Sequence, residues 1–146
     1  MTKQIKAFFD TNILAYEFDS RNTTKQEIAS TLLTQWRTSG RIVISTQILQ
    51  ELFVVLTKKL KPPLKESIAK EVIKTYSEFP VVIVNPNLIL KAISIKERHK
   101  FSFWDSLILS AAIEAKCSIL FSEDLSHGTV IEGVQIINPF LKEEKR

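Results

Sequence analysis

The feature that most constrains this chain is a run of short, unbroken apolar stretches separated by longer segments of helical period. Ile5–Phe9, Ile42–Ile44, Val81–Val84, Ile119–Phe121 and Val134–Ile137 are brief and rich in β-branched and aromatic residues. Strands with one wet face alternate polar and apolar residues; these do not, so both faces must be covered. Between them lie helical segments with capping and stop signals. Thr24 and Glu27 form a capping-box pattern opening a helix to about Thr38, which Gly40 ends. Thr46–Lys59 carries Ile48, Leu49, Leu52, Phe53, Val55 and Leu56 on one broad face. Leu64–Tyr76 is amphipathic and ends before Pro80, Asn85-Pro86 opens a helix to about Arg98, and Ser102 caps one over Phe103–Lys116. A shorter helix over Ile13–Phe18 follows Asp10-Thr11-Asn12. Strands alternating with helices predict an α/β fold: a three-layer α/β/α sandwich around a mostly parallel five-stranded sheet. At 146 residues, with no linker or repeat, the chain reads as a single domain, residues 1–146, with a charged tail from about residue 141.

Composition removes several function classes. Three glycines cannot write a dinucleotide fingerprint. Gly128 and Gly133 have the spacing of a phosphate loop, but Val134 and Gln135 follow where Lys and Ser or Thr are needed. Two histidines and one cysteine at unrelated positions argue against zinc, and no G-x-S-x-G elbow is present. Cys117 cannot form an internal disulfide and reads as a small buried hydrophobe, which fits a reducing, cytoplasmic setting. No apolar run approaches membrane-spanning length. The net charge of +4 is compatible with an anionic partner such as nucleic acid.

The informative residues are the acids. Of four aspartates, Asp10 directly follows the first strand, Asp124 closely follows the fourth, and Asp105 sits in the first turn after Ser102. Asp19 lies in a turn cluster. In parallel sheets ligands bind outside the carboxyl ends of the strands. Each aspartate also has a local explanation: Asp10 as a helix cap, Asp105 as the partner of Ser102 in a capping box, Asp124 in an Asx turn. Asp10 and Asp105 nevertheless stand among apolar residues, where a carboxylate loses hydration unless a cation or donors compensate. Glu51 lies near the start of the helix after the second strand, at the same end of the sheet. A carboxylate cluster of this kind suits a hard divalent cation, Mg²⁺ or Mn²⁺.

Phe8-Phe9-Asp10-Thr11-Asn12-Ile13-Leu14, Glu51, Phe103-Trp104-Asp105-Ser106-Leu107-Ile108 with Ala111-Ala112, and Leu120-Phe121-Ser122-Glu123-Asp124-Leu125 with His127-Gly128 resemble, in order and spacing, the motifs of PIN domains. The similarity extends from about Ile5 to Phe140 and is strongest to VapC-like toxins of toxin–antitoxin pairs. The resemblance implies a Mg²⁺- or Mn²⁺-dependent endoribonuclease leaving a 5′-phosphate and a 3′-hydroxyl. It places Asp10, Glu51, Asp105 and Asp124 as catalytic and metal-holding acids, and Asn12 and Ser122 as helpers that orient a carboxylate or contact a phosphate. Glu123 is either solvated or a metal contact. The resemblance also implies an RNA substrate, a homodimer and a cognate antitoxin protein. Arg98 and Lys100, with Arg21 and Arg41, are candidates for contacting the RNA backbone. Trp36 and Trp104 are expected in the core, with base stacking as the alternative reading. Two other functions remain open: an aspartyl phosphatase using Asp10, and a non-catalytic PIN-like module that binds RNA or protein.

Overall fold

The computed structural model describes residues 4–141; the tail from Lys142 lies outside the described residues. Ala7–Phe9 forms β1, followed by α1 (Thr11–Tyr16) and α2 (Thr23–Ser39). Then come β2 (Ile42–Ser45), α3 (Thr46–Val54) and a single π-helical segment, Val55–Lys59. The chain continues through α4 (Glu66–Tyr76), β3 (Val81–Val82), α5 (Pro86–His99) and α6 (Phe103–Glu114), and closes with β4 (Ile119–Phe121), β5 (Val130–Ile131) and β6 (Val134–Ile137).

The sheet order is β3-β2-β1-β4-β6-β5. All pairs are parallel except β5 with β6. The sheet thus has six strands rather than the expected five. The extra one, β5, joins β6 in a two-residue hairpin through Glu132 and Gly133, both at positive φ (47° and 87°). Such turns usually carry Asn, Asp or Gly at the first position. Glu132 hides that signal, and two residues are too few to show a period.

Steric preference makes β-α-β crossovers right-handed. The connections from β1 to β2 and β2 to β3 therefore lie on one face. The connection from β3 to β4 runs the other way and lies on the opposite face. The helices accordingly pack in two groups, α1 with α2 and α3, and α3 with α4, against α5 with α6. Between them Phe8, Phe9, Ile42, Ile44, Leu52 and Leu109 are fully buried. Phe9, Trp36 and Phe121 form an aromatic cluster, with ring centroids 5.0 Å apart for Phe9 and Phe121, 5.7 Å for Trp36 and Phe121, and 6.4 Å for Phe9 and Trp36. Trp36 lies in the core, as expected. Cys117 is buried too, and burial pushes its thiol up to about 12.

Other boundaries moved for identifiable reasons. The cap of α2 is Asn22, whose side chain accepts from the Lys25 amide, so the Thr24–Glu27 box does not form the cap. Gly40 ends α2 in the left-handed region (φ 69°) as expected. The helix expected over Thr46–Lys59 is α-helical only to Val54, and the Leu60 amide then donates to Val55 O across the wider turn.

Phe9 occupies the point where the central strand meets α2. Truncation there leaves a cavity that its aromatic neighbours cannot fill. Phe9→Ala is expected to cost about 3–5 kcal/mol by urea denaturation; a loss well under 1 kcal/mol would contradict this packing.

Candidate active site

Two strands on opposite sides of a change in strand order leave a crevice at their carboxyl ends. Here β1 continues through α1 to β2 on one side, while β4 pairs with β1 on the other. Asp10 follows β1, and Ser122-Glu123-Asp124 follows β4. The Asp10 amide donates to Phe121 O at 3.0 Å, so the two strand ends are locked side by side. Asp10, Glu51, Asp105 and Asp124 line one cleft of about 410 Å³. A larger groove, about 710 Å³, lies between α3 and α4 but is walled mainly by Leu49, Phe53 and Ile73, with Glu66 as its one acid. The chemistry points to the smaller cleft.

Each of three acids is oriented by its own donors. The Asp10 carboxylate accepts from the Thr11 amide (2.7 Å) and from Ser122 Oγ (2.8 Å). Glu51 accepts from Thr11 Oγ1 (2.8 Å) and Gln47 Nε2 (2.9 Å). Asp124 accepts from Asn12 Nδ2 (3.2 Å), and its own amide donates to Ser122 Oγ (3.2 Å). Asp105 differs. Ser102 accepts from the Asp105 amide, and among the described residues no donor meets the Asp105 carboxylate. The capping box is therefore half-formed, and the side chain is left for the cleft. Asp10 does cap α1, so its local role and its place in the cluster coexist.

The electrostatics follow from burial. Asp10 is only 5% exposed. Desolvation lifts its pKa to about 6, helped by the charges of Asp124 and Glu51 and opposed by the bonds from Ser122 and Thr11. Asp124 is also raised, by desolvation first and then by Glu123 and Asp105. Asp10 thus feels the charges of Asp124 and Glu51, and Asp124 feels that of Asp105.

Among the described residues no three acid, histidine or cysteine side chains come close enough together to hold a metal ion by themselves. A cleft lined by four carboxylates, one of them desolvated, with spare volume instead fits an ion that keeps several of its waters. Mg²⁺ is commonly held by one or two carboxylates plus substrate phosphate. The residues therefore fit such an ion.

A family model described as PIN domain matches residues 7–129. The chain belongs to the PIN domain family. Among solved structures it is similar to a toxin–antitoxin complex from Klebsiella pneumoniae, with TM-score 0.70, 21% identity, and coverage of 92% of this chain and 98% of that one. It is also similar to VapC20 of Mycobacterium tuberculosis, a Sarcin-Ricin loop cleaving toxin, at TM-score 0.63 and 17% identity, covering 82% and 92% of the two chains. DNA-bound VapBC from Salmonella typhimurium matches at TM-score 0.63 and 17% identity, covering 91% and 97%. No curated protein matches the chain.

In this PIN domain the four acids and Asn12 come together at the cleft. Ser122 is fully buried beneath Asp10, placed to orient that carboxylate rather than to meet a phosphate. Arg98 and Lys100 are not among the residues of the cleft. Arg98 donates to Glu132, and Lys100 ends α5 in the left-handed region (φ 60°). Arg41 donates to Ile5 O and lies over the Trp36 ring, also away from the cleft. Glu123 is not among the residues of the cleft: it is part-buried, pairs with Lys25 and accepts from Tyr16 Oη (2.6 Å). Asp19, the acid outside the cluster, is held below the usual carboxylate range by Arg21, which bonds both its oxygens. Trp104 is not in the core. It is 62% exposed and lines the cleft.

Sequence reasoning did not find Thr11, Gln47 or Lys59. Thr11 and Gln47 hold Glu51, and Lys59 reaches the cleft from the π-helical segment. Gln47 lies one turn before Glu51 on the same helix, which was a readable signal. Nothing local pairs position 11 with position 51.

An acid whose folded pKa lies above its unfolded value binds more protons when native. Its contribution to stability is therefore present below about pH 4 and lost as pH rises through about 6. For Asp10 that loss is at most about 3 kcal/mol. In EDTA at pH 7.5, Asp10→Asn is expected to be about 1–3 kcal/mol more stable than the parent, with the difference vanishing below pH 4. A variant no more stable at pH 7.5 would show that the buried carboxylate is not strained.

Proposed function

We propose that this PIN domain is a Mg²⁺- or Mn²⁺-dependent endoribonuclease, acting as the toxin of a toxin–antitoxin pair. The observation that carries the reading is the meeting of Asp10, Glu51, Asp105 and Asp124 around one cleft at the carboxyl edge of the sheet. A divalent ion, when bound, supplies the lowered water pKa and the positive charge that phosphodiester hydrolysis needs. Asp10, Glu51, Asp105 and Asp124 are the residues to hold it. Ser122 and the Thr11 amide fix the two Asp10 oxygens, Thr11 and Gln47 fix Glu51, and Asn12 fixes Asp124. Fixed carboxylates spend no free energy reorganising when substrate arrives. The products are a 5′-phosphate and a 3′-hydroxyl.

The toxin assignment draws on the likeness to toxin–antitoxin structures over nearly the whole length of both chains. With it come an antitoxin partner, a homodimer and a cytoplasmic setting. No helix among the described residues is long and apolar enough to cross a membrane. The phosphatase alternative lacks support: both Asp10 oxygens already accept hydrogen bonds, and position 12 carries an amide committed to Asp124 rather than a second acid. A non-catalytic module is disfavoured by the upkeep of a desolvated carboxylate at the cleft.

Purified protein with Mn²⁺ is expected to cut RNA. Asp105→Asn, which breaks no side-chain hydrogen bond, should keep the circular dichroism spectrum and lose on the order of a hundredfold or more in rate. Ser122→Ala should lose about 10–100-fold, as partners that orient ligands do. Wild-type protein that cuts no RNA under any metal, or Asp105→Asn as active as its parent, would defeat the reading.

A further inference from the structure

The first turn of α6 carries a residue out of place by ordinary burial. Ser106 to Ala112 are buried without a break, yet Trp104, two residues before, is 62% exposed. Trp36, the other tryptophan, is 9% exposed. Trp104 is also fixed in position. Its ring meets Phe103 edge to face at 5.2 Å, and its carbonyl accepts from Gln47 Nε2 (3.3 Å), the same amide group that holds Glu51. A large aromatic surface is thus braced in water at the wall of the carboxylate cleft.

The rest of the cleft says what suits it. Asp10, Asn12, Gln50, Glu51, Lys59 and Asp124 supply its polar groups, and Val54, Val55 and Ile108 join Trp104 on its apolar side. Lys59 also lines the adjoining pocket with Arg21, and among the described residues its ammonium makes no ion pair. A broad aromatic face, a cation without an ion pair and a group of carboxylates match three parts of an RNA strand: a base, a backbone phosphate and the phosphate to be cut. An apolar peptide side chain would bury the Lys59 ammonium and the carboxylates without giving them partners. Stacking on an aromatic face tolerates any base and adds appreciably to single-strand binding.

We propose that Trp104 is a base-stacking contact that seats a nucleotide beside the scissile phosphate, with Lys59 meeting the backbone on the same cleft. This rests on the ribonuclease reading above. Stacking acts on binding, so Trp104→Leu should raise KM for a single-stranded RNA about tenfold and leave kcat within about twofold. Trp104→Phe should recover most of the loss.

A second readout does not depend on cleavage. With Ca²⁺ replacing Mg²⁺, a short single-stranded oligoribonucleotide should quench Trp104 emission and shield it from iodide. The same oligomer with abasic sites should do neither. No response, or an equal response to the abasic oligomer, overturns the stacking even if the protein cuts RNA. So does an unchanged KM in Trp104→Leu, including the case where that variant instead loses association with a protein partner. A protein that shows the quenching but cuts no RNA retains the stacking site and loses the nuclease reading.

Discussion

The structure depends on a carboxylate kept out of water. Asp10 stands at the end of the central strand, 5% exposed, flanked by Phe9 and Ile13, which are fully buried. Burial of this kind is costly unless the group is neutralised or paired. Two donors offset part of the cost, the Thr11 backbone amide just after β1 and the Ser122 hydroxyl just after β4. Ser122 also receives the Asp124 amide, so the loop after β4 is shaped by the same hydroxyl that holds Asp10. The remaining cost stays in the raised pKa, and the proposed divalent ion would relieve it.

The surrounding elements serve that arrangement. The change in strand order opens the crevice, and α3 and α6 bring Glu51 and Asp105 to it from opposite helix groups. The π-helical segment after α3 sets Val55 and Lys59 against the cleft, and such segments are frequent at functional sites. Arg21, braced by both oxygens of Asp19, donates to Lys59 O and ties the end of that segment to the loop after α1.

Much of this was legible in the sequence because the signals were local. Continuous apolar runs marked the buried strands, and aspartates directly after Phe9 and near Phe121 marked the ends where a parallel sheet binds ligands. What escaped were features set by tertiary packing. Trp104 opens an apolar helix, and its exposure is set by what the first turn of α6 packs against, not by its residue type. Asn22 displaced Thr24 as the cap because the chain enters α2 two residues earlier than the box implied. Glu123 could not be assigned from its neighbours, since its partner Lys25 is 98 residues away. The switch from α- to π-helical hydrogen bonding at Val55 leaves no mark in residue type.

The central claim is that four carboxylates act as one cation site. Titrating Mn²⁺ into the protein by calorimetry tests it most directly. Saturable binding is expected, and it should be lost in both Asp10→Asn and Asp105→Asn, two residues on different elements. Binding that survives both substitutions, or no binding by the parent protein, would contradict it.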